Sequence, residues 1–286
     1  MNQKKYNEVY KKIFENEDKN ISSYDELVDF LKEMKSVKPE KNYEIKNEKR
    51  KTECYALSCG LIALAIENSN NNIAESIRNY AIVYQTLFTN ISNDCLSIVN
   101  MLDNGFEFQA KILARNLFEL IYTLLTVIIN KEKCKKYFEA ARLENGYEVW
   151  NKNFRMSKLN EEIYNYEKKV DLELADIMKK ARTRIYSEYS SYAHNDFLYC
   201  FIGCHSTNKE TEFTHYNLWG NYNYNAINIL ESINRLLWMM FLYFENMMSK
   251  EGIFEKSKFI SKENYKYWND AFLIALMLDD EKYKDK

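Results

Sequence analysis

The sequence predicts an all-α protein, a multi-helix bundle of long helices with a short N-terminal helical appendage. Proline and glycine disfavour helix interiors, and the 286 residues include only one proline and six glycines. Five of the six glycines fall between segments whose apolar residues recur with helical spacing. The apolar fraction of 46% and the charged fraction of 29% are typical of a folded chain rather than a disordered one. A chain of this length can bury several apolar helices in one core.

Residues 1–48 are predicted to form a helical appendage and linker, and residues 49–286 the helical bundle domain. An amphipathic pattern over 3–16 and a capping box at the start of 23–37 predict two short helices. The only proline and the charged residues that follow it predict a linker over 38–51.

Within the bundle domain, apolar residues at helical spacing predict a succession of helices separated by turns. The most apolar is 106–130, whose longest apolar run, 117–129, is shorter than the roughly 20 residues that a bilayer requires. We therefore expect a buried helix there and no membrane span. Residues 203–221 are polar and are predicted to be irregular. The predicted helices cover residues 52–68, 73–103, 106–130, 132–145, 147–155, 158–181, 182–202, 222–249 and 261–277.

Charge and motif content exclude several classes of protein. Forty basic and 42 acidic residues nearly cancel, so the chain lacks the overall basic charge of a protein that coats nucleic acid, and only a local basic patch is left open. The N-terminus has no apolar segment of a secretory signal, which predicts a cytoplasmic protein whose six cysteines are free thiols. The motifs GxxxxGK[ST], GxGxxG, GxSxG and HExxH are absent, which argues against P-loop enzymes, dinucleotide-binding enzymes, α/β-hydrolases and zinc proteases. No cofactor is expected.

The strongest candidate site is the stretch 182–196, which contains one of only three histidines. As a helix, this stretch separates into an apolar face and a polar face that spans about 120° of arc. The apolar face is expected to face the core and consists of Ile185, Tyr186, Tyr189, Ala193 and Phe197. The polar face offers an acid, a base, a cation and hydroxyl groups. It consists of Arg184, Ser187, Glu188, Ser191, His194 and Asn195.

Arg115 and Glu119 form a second polar feature, because they lie four residues apart on the most apolar helix. Lys111 and Tyr122 share their face of that helix. Charges on an apolar helix are costly unless they are paired. The polar face of 184–195 is therefore expected to meet Arg115 and Glu119.

Contact between these two polar surfaces would bring five candidate catalytic residues together. The resulting cluster has two interpretations. In one, the cluster is a catalytic pocket in which His194 is the general acid or base and the arginines hold a phosphate or carboxylate. In the other, the cluster is a structural ion-pair network or a small-ligand pocket. The catalytic candidates are Arg115, Glu119, Arg184, Glu188 and His194, and the binding candidates are Ser187, Ser191, Asn195 and Tyr122.

Cysteine and histidine are zinc ligands, and four of them follow the candidate stretch. Their Cys-x-x-x-Cys-His spacing differs from that of standard zinc sites, so no metal site is predicted and zinc remains an alternative. Glu212 and His215 have the spacing found in di-iron bundles, but they occur in a single copy. Two buried thiols and two loop histidines are the simpler interpretation. The four residues are Cys200, Cys204, His205 and His215.

The segments Arg115-Asn-Leu-Phe-Glu119 and Tyr186-Ser-Glu-Tyr-Ser-Ser-Tyr-Ala-His194 resemble a widespread bacterial family, a helical domain of unknown function. That family has an Arg-x-x-x-Glu helix followed further along the chain by a Ser-x-x-x-His motif. The resemblance covers residues 75–210. It implies that the arginine, the glutamate and the histidine belong to one constellation.

The arrangement is also similar to HEPN-type helical bundles, many of which are metal-independent ribonucleases of toxin–antitoxin and phage-defence systems. The arginine that HEPN proteins place a few residues before their histidine is absent here, and the nearest upstream arginine is Arg184. The similarity implies His194 as the catalytic group, Arg115 and Arg184 as phosphate-binding groups, and RNA as the substrate.

Two functions are therefore expected for this chain. One is an HEPN-like ribonuclease or defence effector that uses His194 with Arg115 and Arg184. The other is a non-catalytic binding or interaction protein, with a phosphate-bearing ligand as a candidate partner. The apolar run 236–244 additionally predicts a homodimer interface.

Overall fold

The structure, a computed structural model of the chain, describes residues 41–69, 81–140, 143–194, 197–207, 214–216 and 225–251, together with residues 4, 25–26 and 28–30. The predicted helix 261–277 lies outside these residues, as do nearly all of the predicted helices 3–16 and 23–37.

Helices make up most of the described residues, which confirms the prediction of an all-α bundle. The helices are α1 (Lys41–Ser69), α2 (Ala81–Asp103), α3 (Glu107–Ile129), α4 (Lys131–Ala140), α5 (Gly146–Phe154), α6 (Met156–Glu167), α7 (Leu172–Ala193), α8 (Phe197–Cys204) and α9 (Asn225–Glu251). Two short strands, β1 (His205–Thr207) and β2 (Thr214–Tyr216), pair antiparallel.

Helix α3 lies at the centre of the described bundle, where it packs against α2, α4, α6, α7 and α9. Its side chains Leu117, Phe118 and Ile121 are fully buried. Each such side chain contributes roughly 1.5–3 kcal/mol on leaving water. Helix α1 packs against α2 and α9 and adds Leu57 and Leu61 to the same core.

By length and composition, α3 is the one helix among the described residues that could cross a membrane, with a mean hydropathy of 1.8 over 18 residues. In the fold, 61% of that window is buried. A helix that is apolar on most sides and covered by other helices is typical of a protein core. The prediction of a buried helix over 106–130 is therefore confirmed.

Helix α1 begins at Lys41, so the predicted linker over 38–51 is wrong from that residue onward. The lysines and glutamates of this segment favour a helix, and it contains neither glycine nor proline after residue 39. An ion pair one turn apart adds to this preference, since Lys51 Nζ lies 2.6 Å from Glu48 Oε1. Helix α1 crosses residue 48 without a break. The division into an appendage and a bundle domain stays a prediction.

The predicted break between residues 181 and 182 is wrong, because the chain turns at 168–171 and α7 then runs without interruption. Asp171 fixes the start of α7: its carboxylate accepts a hydrogen bond from the Leu174 backbone N–H at 2.9 Å. Residues 172–193, which the prediction divided between the helices 158–181 and 182–202, therefore lie on one helix.

The prediction of a single helix over 182–202 is also wrong. Helix α7 ends at Ala193 with His194 as its C-terminal cap, and α8 begins a few residues later. Residues 203–221, predicted to be irregular, continue α8 through Cys204 and then contribute β1 and β2. These strands contain threonine and tyrosine, which favour extended structure.

Two glycines mark turns where the sequence predicted helix ends. Gly105, with φ of 77°, lies between α2 and α3 in the left-handed conformation that favours glycine. Gly146 opens α5, and a Cβ atom there would lie 2.1 Å from the carbonyl oxygen of Ala140. Only glycine therefore allows α5 to start this close to the end of α4.

The apolar run 236–244 lies in α9, and its side chains Leu237, Met240 and Phe241 are fully buried within the chain. These side chains are not exposed to a second copy. The homodimer stays a prediction.

Candidate functional site

The charged pair predicted on α3 is present, and it contacts α7. Arg115 Nη2 lies 3.1 Å from Glu119 Oε1. The Arg115 guanidinium donates hydrogen bonds to Tyr186 Oη at 2.8 Å and to Ser190 Oγ at 3.1 Å. The Tyr186 hydroxyl in turn donates to Glu119 Oε1 at 2.8 Å. These four side chains, the α3–α7 network, satisfy one another's charges and polar groups.

The face of α7 that meets Arg115 and Glu119 is not the predicted one. Arg184 and Glu188 lie about 160° around the helix from Tyr186, on the exposed side. The expected gathering of these residues with His194 around Arg115 and Glu119 is therefore wrong. The partners come instead from the face predicted to be core, because a tyrosine packs its ring among apolar groups and still presents a hydroxyl.

Tyr186 is the residue that joins the two charges of the α3–α7 network. Burial raises its pKa, and its hydrogen bond to the Glu119 carboxylate raises the pKa further. The Arg115 guanidinium also lies 5.2 Å from the centre of the Tyr186 ring, within the range of cation–π attraction. Arg115 is 26% exposed, so this network lies at the edge of the core. Its geometry is suited to holding α7 against α3.

Lys111, which shares the face of Arg115, makes a similar contact one turn earlier. Its Nζ lies 2.9 Å from Glu107 Oε1 and donates to Tyr192 Oη at 2.8 Å. Burial alone would lower the pKa of Lys111, but the Glu107 carboxylate and the Tyr192 hydroxyl outweigh burial and raise it. The lysine therefore stays charged, and it acts as a structural cation rather than as a nucleophile.

The most buried charge in the described part of the chain is Arg182, only 2% exposed, which the sequence analysis did not single out. Both terminal nitrogens bind the Glu167 carboxylate, at 2.5 and 2.7 Å, and Nε donates to Asn160 Oδ1 at 2.8 Å. The Tyr243 hydroxyl of α9 donates to the same carboxylate. The pair therefore ties α6, α7 and α9 together.

The sequence contains a pattern that indicates the Arg182–Glu167 ion pair. Arg182 precedes Tyr186, Tyr189 and Ala193 at helical spacing, on the face that faces the core. Glu167 likewise continues the buried stripe of α6 that begins with Met156, Leu159 and Ile163. A charge on each of two apolar stripes indicates a buried ion pair, since an unpaired charge there would be costly.

Tyr122, predicted as a binding residue, is buried close to this pair. Burial raises its pKa, while the positive charge of Arg182 lowers it and the negative charge of Glu167 raises it. Its side chain is about 1% exposed, so it does not line a surface site.

A second buried carboxylate, Glu53, connects α1 to α9. It accepts hydrogen bonds from Asn234 Nδ2 at 2.9 Å and Trp238 Nε1 at 3.0 Å, and it pairs with Arg50 at 2.9 Å. With three donors around one carboxylate, this cluster is a structural contact between the helices.

His194 is exposed at the C-terminal end of α7, where its backbone N–H donates to the Ser190 carbonyl oxygen at 3.0 Å. It follows Arg184 by ten residues, which corresponds to about 15 Å along the helix axis. A single phosphate group is too small to span that separation. Asn195 lies outside the described residues.

A surface cavity of about 800 Å³ follows the exposed side of α7. It includes four residues of the predicted polar face and extends toward the start of the helix. We call it the α7 groove. The described residues that line it are Asp176, Lys179, Lys180, Thr183, Arg184, Ser187, Glu188 and Ser191.

The charges of the α7 groove are held in different ways. Asp176 accepts a hydrogen bond from the Tyr164 hydroxyl at 2.7 Å, and Lys179 Nζ lies 4.2 Å from the centre of the Tyr164 ring, so both are fixed by α6. Lys180 and Arg184 lie one turn apart on the exposed face. Two cations next to serine hydroxyls suit the oxygen atoms of a phosphate.

Among the described residues, no three cysteine, histidine, aspartate or glutamate side chains come together as metal ligands. Cys200 is a half-buried free thiol. The His205 ring stacks on Phe201 with centroids 4.0 Å apart, and its Nδ1 lies 2.9 Å from the Phe201 carbonyl oxygen. The side chains of Cys204 and His215, and all of Glu212, lie outside the description. Zinc binding by this segment therefore stays an untested alternative.

No protein-family model, curated protein or solved structure matches the chain. The resemblances to the bacterial helical family and to HEPN proteins therefore stay predictions.

Proposed function

We propose that the chain is a non-catalytic binding protein of the cytoplasm whose α7 groove takes a small phosphate-bearing ligand. The observation that carries this proposal is the pair Lys180 and Arg184, exposed one turn apart in a cavity of about 800 Å³. Ser187 and Ser191 continue the same wall, where the Ser191 hydroxyl donates to the Ser187 carbonyl oxygen at 3.3 Å. All the described lining residues lie on α7, so the groove is open to solvent.

The α3–α7 network supports a structural role for the other predicted arginine. The Arg115 guanidinium is engaged by Glu119, Tyr186 and Ser190 at hydrogen-bond distance. These contacts engage the N–H donors of Nε and Nη2, which supports a role of Arg115 in holding α7 against α3.

The overall charge favours a small ligand over RNA. Forty basic residues against 42 acidic ones leave the chain slightly negative, whereas nucleic-acid binding depends on many cations that neutralise successive phosphates. The α7 groove offers three cations beside two carboxylates, enough for one phosphate group.

The test is calorimetric titration of the full chain with inorganic phosphate, and in a second arm with a short single-stranded RNA, at low salt. Lys180→Gln and Arg184→Gln are each expected to weaken phosphate binding about two- to fivefold, and the double variant about tenfold, as for exposed charges. Lys135→Gln on α4, an exposed lysine outside the groove, is the matched control and should bind phosphate like the wild type.

Two results would contradict the proposal. One is the absence of saturable phosphate binding by the wild type. The other is an equal dissociation constant for the wild type and the double variant. If RNA binds much more tightly than phosphate through the same two residues, the ligand is a nucleic acid and the small-ligand assignment is wrong.

The second candidate function is an HEPN-like ribonuclease, favoured by the exposed position of the His194 side chain at the end of α7. Here His194 is the general acid or base, Arg115 and Arg184 hold phosphate, and Glu119 and Glu188 orient them. Arg115 would have to leave its present partners. RNA cleavage by the wild type that His194→Ala abolishes would support this function. No cleavage, or cleavage that the variant retains, would contradict it.

A further inference from the structure

We propose that a cavity between α2, α4 and α5 is a second binding site, for a ligand that carries a flat aromatic ring. The cavity has a volume of about 540 Å³, and its residues and helices differ from those of the α7 groove. We call it the aromatic pocket. The described residues that line it are Ile82, Val83, Thr86, Tyr137, Phe138, Ala140, Gly146, Tyr147 and Trp150.

Four aromatic rings from two helices surround this pocket. Tyr147 and Trp150 lie nearly parallel on α5, with ring centres 6.3 Å apart and planes inclined by 19°. Tyr137 and Phe138 of α4 face the same cavity. Ring faces attract other flat rings beyond the effect of burial alone, so four of them around one cavity favour an aromatic ligand.

Three of the four rings are held in place without a ligand. Tyr137 packs edge-on against buried Phe154 at 5.1 Å, and Phe138 and Trp150 pack against the core. Tyr147 is 76% exposed, at the open side of the pocket. A binding surface that is already ordered loses little conformational freedom when a ligand enters, which favours affinity.

The start of α5 lies close to the end of α4, which explains why the aromatic rings of both helices line one cavity. A side chain at Gly146 would overlap the Ala140 carbonyl oxygen. Glycine therefore lets α5 begin directly beside the end of α4, where Tyr137 and Phe138 lie.

The polar groups of the pocket indicate an uncharged contact surface. The Thr86 hydroxyl already donates to the Ile82 carbonyl oxygen at 2.6 Å. Burial raises the pKa of Tyr137, so its hydroxyl stays protonated at neutral pH. None of the described lining residues carries a charge. The pocket thus suits an uncharged aromatic ring.

The test uses two probes of the same carbon skeleton: flat 2-naphthol and its saturated, non-planar counterpart decahydro-2-naphthol. Binding to the full chain is measured by saturation-transfer NMR titration. We expect saturable binding of 2-naphthol and at least about threefold weaker binding of the saturated probe. Tyr147→Leu and Trp150→Leu should each weaken 2-naphthol binding about three- to tenfold, as for the loss of one aromatic contact.

Phe197→Leu is the matched control, because Phe197 is a highly exposed aromatic residue on α8, outside the pocket. It should bind 2-naphthol like the wild type. The exposure of Tyr147 makes Tyr147→Leu a variant that keeps the fold, so the test stands even if Trp150→Leu is unstable. The proposal is wrong if the two probes bind equally, if 2-naphthol shows no saturable binding, or if Tyr147→Leu binds 2-naphthol as the wild type does.

Discussion

Replacement of Arg182 by methionine is predicted to destabilise the fold strongly. Methionine fills much of the same space but has no charge. The change removes both contacts to the Glu167 carboxylate, at 2.5 and 2.7 Å, and the contact to Asn160 at 2.8 Å. It leaves a carboxylate that is only 6% exposed, with the Tyr243 hydroxyl still donating to it.

Removal of one partner of a buried ion pair typically costs about 3–5 kcal/mol, because the other charge is left without compensation. The hydrogen bond from Tyr243 keeps Glu167 partly compensated, so we expect a loss near about 3 kcal/mol. The double variant Arg182→Met/Glu167→Leu removes both charges. It should therefore be more stable than Arg182→Met alone by at least about 1 kcal/mol.

Urea unfolding of the full chain, followed by circular dichroism at neutral pH, gives the free energy of unfolding for each variant. The matched control is Lys158→Met on α6, whose partner Glu161 lies 3.1 Å away on the exposed surface. That change should cost no more than about 0.5–1 kcal/mol. The reasoning is refuted if Arg182→Met lies within about 1 kcal/mol of the wild type, or if the double variant is less stable than the single one.

Two further predictions concern pH and packing. The Cys134 thiol should contribute a fall of roughly 2–3 kcal/mol in the free energy of unfolding between pH of about 9 and 11, since burial raises its pKa from 9.0 to about 11 and the unfolded chain loses this proton first. Cys134→Ala should remove that part of the pH dependence; an unchanged profile in urea unfolding at several pH values would show that another group causes it. Gly146→Ala should cost about 1–3 kcal/mol, because the new methyl group would overlap the Ala140 carbonyl oxygen. An unchanged urea midpoint for this variant would mean that α4 and α5 are not in such close contact.

The sequence was sufficient to predict the class of fold and the central helix. Few helix breakers and helical apolar spacing predicted the bundle, and the apolar run with Arg115 and Glu119 predicted α3 and its need for a polar partner. The sequence pattern placed this partner on the polar face of α7, whereas Arg115 and Glu119 contact the face that carries Tyr186. Helical spacing separates apolar from polar residues, but Tyr186 is both, so its hydroxyl could not be assigned from spacing alone.

The sequence pattern did not predict the start of α7 at Leu172, and this error changed which residues were assigned to the candidate site. Asp171 is one of many acidic residues in a charged segment, and its capping hydrogen bond to Leu174 depends on the backbone turn at 168–170. A break assumed at residue 181 separated Lys179 and Lys180 from Arg184. These cations share one face, the α7 groove, because α7 is a continuous helix.

The aromatic pocket depends on contacts between helices that sequence spacing does not encode. Tyr147 and Trp150 lie one turn apart and could be paired from the sequence. Their approach to Tyr137 depends on the angle at which α5 leaves α4. Gly146 permits that angle, but a glycine at a helix start is also common where no pocket exists.

The most direct test of the proposed division between structural network and ligand groove compares Arg115→Gln with Arg184→Gln. Both the free energy of unfolding and the dissociation constant for inorganic phosphate are measured on each full-length variant. Arg115→Gln should lower stability by about 1.5–3 kcal/mol, as for hydrogen bonds to a charged group, and leave phosphate binding within about twofold. Arg184→Gln should leave stability within about 0.5 kcal/mol and weaken phosphate binding. Loss of phosphate binding in Arg115→Gln at unchanged stability would place the ligand at the α3–α7 network and contradict this division.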